Sequence, residues 1–322
     1  MSAGQPRIWV LLGHRTGDNN QLLALAEALK LPFETRTLHF NALRVLHRWI
    51  GASQMTLDRK SRQAICPPWP DLVIGIGWRS VAVARWIKKA SGGRARLVRL
   101  GDPRSPSDTF DLIVTTPQYP VADAPNVLRL PLGMSRFRTP PDPTETEKAV
   151  LDALQRPHRL MAVGGPAKYW QLSAQTVISA AQHLNRPDGS LIIAASPRTP
   201  PDIIAALEHA KIGTLVKGRE PRFAVLLSDA DEIFVTGDSI AMLSEAVLSG
   251  KPVGIVPIEM SGEGHRVLGT PDSANRDLRR FWSTLRKRGL AGTIDRPVAG
   301  QLADPAGIAA DAVRALLGDR VQ

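Results

Sequence analysis

Short apolar runs of strand length alternate with helical patterns along almost the whole chain, and the alternation runs through twice with a proline cluster between. The run 8–13 (IWVLLG) reads as a buried strand. The residues 19–30 follow as a helix, with Leu22, Leu25, Ala26 and Leu29 at helical spacing. Strand patterns recur at 33–40, 71–77, 95–102, 110–116 and 126–133, and 80–90 is the clearest helix among them. Strands separated by helices need crossover connections, which give a mostly parallel sheet and exclude a helical bundle. Pro140, Pro141 and Pro143 then break both ladder and helix. Thr144 with Glu147 three residues on has the spacing of a capping box and opens a helix over 144–155. The alternation restarts with strands at 158–165, 190–197, 213–218, 232–238 and 252–259 and helices at 172–184, 200–210 and 239–250. This pattern predicts an α/β protein of two Rossmann-like domains facing a central cleft. The first spans 1–140 and the second 141–303, and a last helix within 304–322 packs back on the first.

Cysteine and charge narrow the class. A single cysteine, Cys66, excludes an internal disulfide framework and reads as a small buried residue. The seven histidines have no Cys partners at zinc spacing. No apolar run reaches the ~18 residues of a membrane span, and the N-terminus lacks signal-peptide features, so a cytoplasmic protein is expected. The formal charge is +11, and the first 150 residues hold 21 of the 41 Lys and Arg but only 12 of the 30 acidic residues. That asymmetry suits an anionic membrane surface or an acidic substrate in the first half. The stretch 41–65 mixes Leu43, Leu46, Trp49 and Ile50 with Arg44, Arg48, Arg59, Lys60 and Arg62. It reads either as a helix on the inner membrane face that admits a lipid-linked acceptor, or as a core-packed helix with a solvated basic face. No nucleic-acid motif accompanies the charge, which ranks nucleic acid last among partners.

The segment 215–257 carries the most chemistry. A helix opens directly after a strand at Asp238-Ser239-Ile240, with Asp238 as N-cap and free N–H groups of Ser239 and Ile240 to seat a phosphate. Glu245 lies two turns on in an otherwise small or apolar run, placed to accept both hydroxyls of a ribose. The alternative is that Asp238 and Ser239 only cap the helix and Glu245 is solvated. Gly164 and Gly165 after the first strand of the second half let the backbone approach a ligand, or simply make a turn. Arg198, in the Ser196-Pro-Arg-Thr199 loop, can fork onto a diphosphate, with the hydroxyls of Ser196 and Thr199 as neutral donors.

With these pieces in order, the chain resembles the donor-binding half of the two-domain GT-B glycosyltransferases. More narrowly, it resembles the elongated-mitochondria family, named for a plant mitochondrial-fission protein. The matching pieces are Gly13–Gln21, Gly101–Arg104 with the strand after it, 126–133, Val163–Gly165, Ser196–Pro200 and Thr236–Ala246, together spanning roughly 8–258. Two departures stand out: Pro117-Gln118-Tyr119-Pro120 lacks the family's usual acid, and Pro197 replaces one of two arginines. The resemblance implies a nucleotide-diphosphate sugar as donor, with the backbone at Val216 and Lys217 reading the base. It also implies a catalytic base in the first loop, where Asp18 and His14 are candidates. Asp18 reads equally as an N-cap and His14 as a surface residue. Gly13, Gly17, Gly77 and Asp102 would line the acceptor side, with Asp102 alternatively bonding Arg104. The diphosphate would be held by Arg198 and the helix start without metal, and no cofactor is expected.

Two rival classes remain. The plant relative's role implies a non-catalytic adaptor, and nucleotide-sugar epimerases share the two-domain architecture. A nicotinamide enzyme is a weak alternative, because Gly75-Ile-Gly77-Trp-Arg-Ser80 lacks the third glycine or alanine of a dinucleotide fingerprint.

Overall fold

The computed structural model describes residues 5–43, 51–136, 141–218, 220–269 and 273–318. The chain divides into two compact units, Met1–Arg136 with Ala303–Gln322, and Phe137–Leu302.

In the N-terminal unit the order is β1 (Ile8–Leu12), α1 (Thr16–Ala28), β2 (Phe33–Thr37), α2 (Arg59–Ala64), β3 (Leu72–Ile76), α3 (Ser80–Ala90), β4 (Arg96–Leu100), β5 (Leu112–Thr115) and β6 (Val127–Arg129). The six strands form one parallel sheet in the order β2-β1-β3-β4-β5-β6. Both faces are covered, which is why the strands read as continuous apolar runs rather than alternating ones. Ile8, Val10, Ile74 and Val98 face Leu22 and Leu25 of α1, whereas Trp9, Leu11, Val73 and Leu97 face Val83 and Ile87 of α3. Each such side chain contributes about 1.5–3 kcal/mol on full burial.

Two local expectations are corrected here. α1 begins at Thr16, not at 19, because the Asn19 side chain folds back to bond both N–H and C=O of Gly13 at 2.9 Å, shaping the loop before the helix. The expected helix over 41–65 is not continuous. Asn41 donates to the carbonyls of Met55 and Leu57, Phe40 bridges Leu57, and Asp58 caps the separate short α2 through the N–H of Ser61. Arg44, Leu46, Arg48, Trp49 and Ile50 lie outside the described residues. Cys66 is exposed, not buried.

In the C-terminal unit the order is α4 (Glu145–Asp152), β7 (His158–Val163), β8 (Trp170–Gln171), α5 (Ala174–Leu184), β9 (Ser190–Ala195), α6 (Pro201–Ala210), β10 (Thr214–Val216), α7 (Phe223–Asp229), β11 (Glu232–Thr236), α8 (Ile240–Leu248), β12 (Val253–Val256), β13 (Glu259–Met260), α9 (Gly262–Val267), α10 (Leu278–Lys287) and β14 (Gly292–Thr293). The main sheet is parallel in the order β10-β9-β7-β11-β12-β14, and β8 and β13 form an antiparallel pair. The Thr144–Glu147 capping box is formed at α4. Glu147 is fully buried and accepts from the backbone N–H, Nε and Nη2 of Arg222. That pairing holds its pKa at about 2. Phe281, Trp282 and Leu285 of α10 are buried, and Trp282 donates through Nε1 to the Gly237 carbonyl of this same unit.

The last helix, α11 (Pro305–Leu317), belongs to the N-terminal unit. Ala309, Ala310 and Val313 pack into the core that holds Leu22 and Leu25, and Arg314 donates to the carbonyls of Ala28 and Leu29 at the C-terminal end of α1. Among the described residues, no helix is long and apolar enough to cross a membrane.

Candidate functional sites at two switch points

Parallel sheets bind ligands outside the carboxyl ends of their strands, where successive crossovers diverge. In the C-terminal unit that place is between β7 and β11, since β7 is flanked by β9 and β11. Asp238, in the loop after β11, is its hub. Its Oδ1 accepts from the Thr236 hydroxyl at 2.7 Å, and its Oδ2 accepts from the Gly165 N–H at 2.9 Å and Arg198 Nη2 at 2.5 Å. The Gly164 N–H donates to Thr236 Oγ1 at 2.8 Å, tying the ends of β7 and β11 together. Burial pushes the Asp238 carboxyl above the usual carboxylate range, and the bonds from Thr236, Gly165 and Arg198 only partly offset it.

Several site expectations change at this point. The N-cap of α8 is Ser239, whose hydroxyl accepts from the Met242 N–H, so Asp238 is freed for its contacts with the glycine loop. Gly164 and Gly165 are explained by packing within the protein: a Cβ on Gly164 would overlap the Asp238 carboxylate, and one on Gly165 the Arg198 carbonyl. Ser196 and Thr199 spend their hydroxyls on the loop. Thr199 Oγ1 donates to the carbonyls of Val163 and Gly164 and accepts from Ser196 N–H, while Ser196 Oγ accepts from Arg198 N–H. Arg198 is held by Asp238 with its side chain about half exposed. The structure thus brings Gly164, Gly165, Ser196, Arg198, Thr199, Asp238, Ser239 and Ile240 to one strand end. Val216 ends β10, two strands out from β7, and Lys217 pairs with Glu208. Glu245 is half-buried on α8, roughly 9 Å along the axis from Ser239.

The sequence also holds a pair with metal-binding spacing, Asp229-Ala230-Asp231. Both carboxylates are committed at the opposite, amino end of the sheet, Asp229 to Arg156 and to His158 Nδ1, Asp231 to Arg156 and the His158 N–H. Among the described residues, no three His, Cys, Asp or Glu side chains group to hold a metal ion.

In the N-terminal unit the switch point lies between β1 and β3, and a cavity of about 110 Å³ opens there. Gly13 and His14 from the first loop, Asp18 from the first turn of α1, Gly77, Trp78 and Arg79 from the loop after β3 and Ser80 at the start of α3 form much of its wall. Gly17 and Asp102, expected on the acceptor side, are outside this lining. Asp102 accepts from the Arg104 N–H at 2.8 Å. Asp18 is no N-cap: it lies in the first turn of a helix that starts at Thr16, where its charge suits the helix dipole. His14 is exposed in the loop.

Arg99 is a residue of this region that the sequence does not mark as part of a site. It sits on β4 with 1% exposure, and Nη1 donates to Ser80 Oγ at 3.0 Å. Burial lowers its pKa to about 10, with Asp102, Tyr119 and Asp18 acting in the other direction. The signal was present in the sequence, since an arginine one residue before the end of a strand buried on both faces breaks the apolar run.

Two Rossmann-like units in one chain define the GT-B-like fold, and solved structures with that architecture match over nearly the full length. The structure of UGT89C1 from Arabidopsis thaliana complexed with UDP-L-rhamnose matches at a TM-score of 0.54 and 15% identity, covering 99% of this chain and 92% of that one. UDP-GlcNAc 2-epimerase from Neisseria meningitidis bound to UDP-GlcNAc matches at 0.53 and 12%, covering 97% and 99%. The chain belongs to the Mitochondrial fission ELM1 family, whose pattern matches residues 16–317. Mitochondrial fission protein ELM1 of Arabidopsis thaliana is 22% identical over 264 residues, covering 71% of this chain but only 58% of the plant protein.

Proposed function

We propose that the protein is a glycosyltransferase that binds a nucleotide-diphosphate sugar at the carboxyl ends of β7, β9 and β11 and transfers the sugar to a cell-envelope glycan or lipid hydroxyl. The observation that carries this is the convergence of three loops on Asp238, which holds the half-exposed Arg198 beside the first turn of α8. A forked cation and a helix start suit a diphosphate, whose negative charge grows as the bond to the anomeric carbon breaks. Glu245 would accept the ribose hydroxyls, and the backbone at Val216 and Lys217 would meet the base. Asp18 or His14 would take the proton from the acceptor hydroxyl as its oxygen bonds the anomeric carbon. The neighbours solved with UDP-rhamnose and UDP-GlcNAc support a nucleotide sugar as ligand and make uridine the first base to test. The basic first half supports a peripheral place on the inner membrane face.

The test is a thermal-shift series with the five nucleoside diphosphates and their sugars. One base should raise the melting temperature of the wild type by a few degrees at saturating ligand, and Arg198→Ala and Glu245→Ala should lose that rise. Incubation with the stabilising sugar nucleotide then separates transfer to an added acceptor from epimerisation of the sugar. A wild type that no nucleotide stabilises at millimolar concentration would favour the non-catalytic adaptor, which family membership supports.

A further inference from the structure

Arg99 is a permanent cation that the donor assignment does not use. Among the described residues only its Nη1 has a hydrogen-bond partner, the neutral hydroxyl of Ser80, while Nε and Nη2 have none. Asp102 and Asp18 act on this charge only from beyond ion-pair distance among the described residues, and an arginine buried without a paired carboxylate is costly, so a native fold that keeps one calls for a physical account. Arg99 lies outside the lining of the β1/β3 cavity and is linked to it through Ser80. The β3–β4 register sets Arg99 beside Gly75, where a Cβ would come within 3.3 Å of Ser80 Oγ, so the glycine leaves room for the Ser80 hydroxyl that Arg99 grips. Ser80 is the first residue of α3, an eleven-residue helix, and lines the β1/β3 cavity. The helix N-terminus adds its partial positive charge on the same side. Arg79 lines that cavity too, and among the described residues its buried Nε has no hydrogen-bond partner and Asp18 is the one carboxylate residue in the lining.

We propose that the cavity at the β1/β3 switch point of the N-terminal unit seats an acidic group of a ligand, a phosphate or a carboxylate, with Arg99 as the fixed charge behind Ser80 and the first turn of α3. As the anchor of an acidic acceptor, this site rests on the glycosyltransferase assignment, and it places the acceptor's charged group beside Asp18. Anion binding as such does not depend on that assignment.

The experiment uses the full chain and two phosphate sources. Inorganic phosphate is titrated against chloride at equal ionic strength while the amide signals of Gly77, Arg79 and Ser80 are followed by NMR. Vesicles of phosphatidic acid are compared with phosphatidylcholine by sedimentation. A saturable response is expected in at least one arm: phosphate alone assigns a soluble ligand, and vesicles alone assign a lipid headgroup. Arg99→Met should weaken that response by about tenfold or more. It should also raise the melting temperature, because an apolar side chain replaces an unpaired buried charge. Arg99→Lys should retain part of the binding. Uridine diphosphate is titrated into the same samples, and its binding should be indifferent to Arg99→Met. Loss of uridine diphosphate binding in the wild type counts against the donor assignment only. No response in either arm, a response that survives Arg99→Met, or a lowered melting temperature in that variant would overturn the site.

Discussion

The two units each bury an arginine in a parallel strand, Arg99 on β4 and Arg159 on β7, and both are 1% exposed. Arg159 stands at the amino end of its sheet with Nε on Glu232 and Nη2 on Asp188, at 3.2 and 2.7 Å. Arg99 stands near the carboxyl end of its sheet with its guanidinium over the Phe110 ring, and among the described residues its hydrogen-bond partner is a neutral hydroxyl. The same side chain at the same burial is therefore a structural clamp in one unit and an unspent field in the other. The switch points differ in the same sense. In the C-terminal unit the glycines, Thr199 and Asp238 satisfy one another, whereas the N-terminal unit keeps a cavity with cationic residues in and behind its wall. Glycine after a strand is thus an ambiguous sign: it can make room for a ligand or for a carboxylate of the protein itself.

The largest expected effect breaks that packing. Gly164→Ala forces a Cβ onto the Asp238 carboxylate and should destabilise by about 3 kcal/mol or more in urea unfolding. Gly13→Ala, with nothing within 4 Å of its Cβ, should stay within about 0.5 kcal/mol. Equal costs for the two would erase the contrast between the switch points. Next, Arg159→Met should cost about 1 kcal/mol, since Asp188 and Glu232 lose a charged donor but Asp188 is exposed and Glu232 keeps Arg186. With Arg99→Met expected to stabilise, the two arginine variants should move the melting temperature in opposite directions.

The smallest difference is tied to pH. The Glu147 pKa of about 2 lies below the ordinary 4.5, so its pairing with Arg222 stabilises fully above about pH 4.5 and is lost as pH falls towards 2. The gap in urea midpoint between wild type and Glu147→Gln should hold from pH 5 to 7 and shrink by pH 3. A gap of equal size at pH 3 and pH 7 would remove the carboxylate from the account.

Much of this architecture was legible because buried parallel strands announce themselves. The runs 8–13 and 71–77 are apolar on both faces, and Thr144 with Glu147 fixes a helix start through contacts only three residues apart. The errors came where a distant side chain decides a local structure. Asn19 reaches back to Gly13 and moves the start of α1, and Asn41 reaches to Met55 and Leu57 and breaks an expected helix. At the candidate site, the types of residue were readable but their commitments were not. Arg198 reads as a cation for a diphosphate, and its ion pair with Asp238, 40 residues away, is set by the fold. Arg99 was visible as an anomaly, a charge inside an apolar strand, but only the fold shows that its neighbour is the hydroxyl at the base of α3.

The return of α11 to the N-terminal unit has a consequence for synthesis. Chains fold as they emerge, and domains usually close in the order in which they are made. Here the C-terminal unit, Phe137–Leu302, is inserted between the body of the N-terminal unit and the helix that covers α1. The unit begun first is therefore the one completed last. Until Ala309, Ala310 and Val313 arrive, the apolar face of Leu22 and Leu25 lacks part of its cover, and the nascent N-terminal unit must wait for the other to be made.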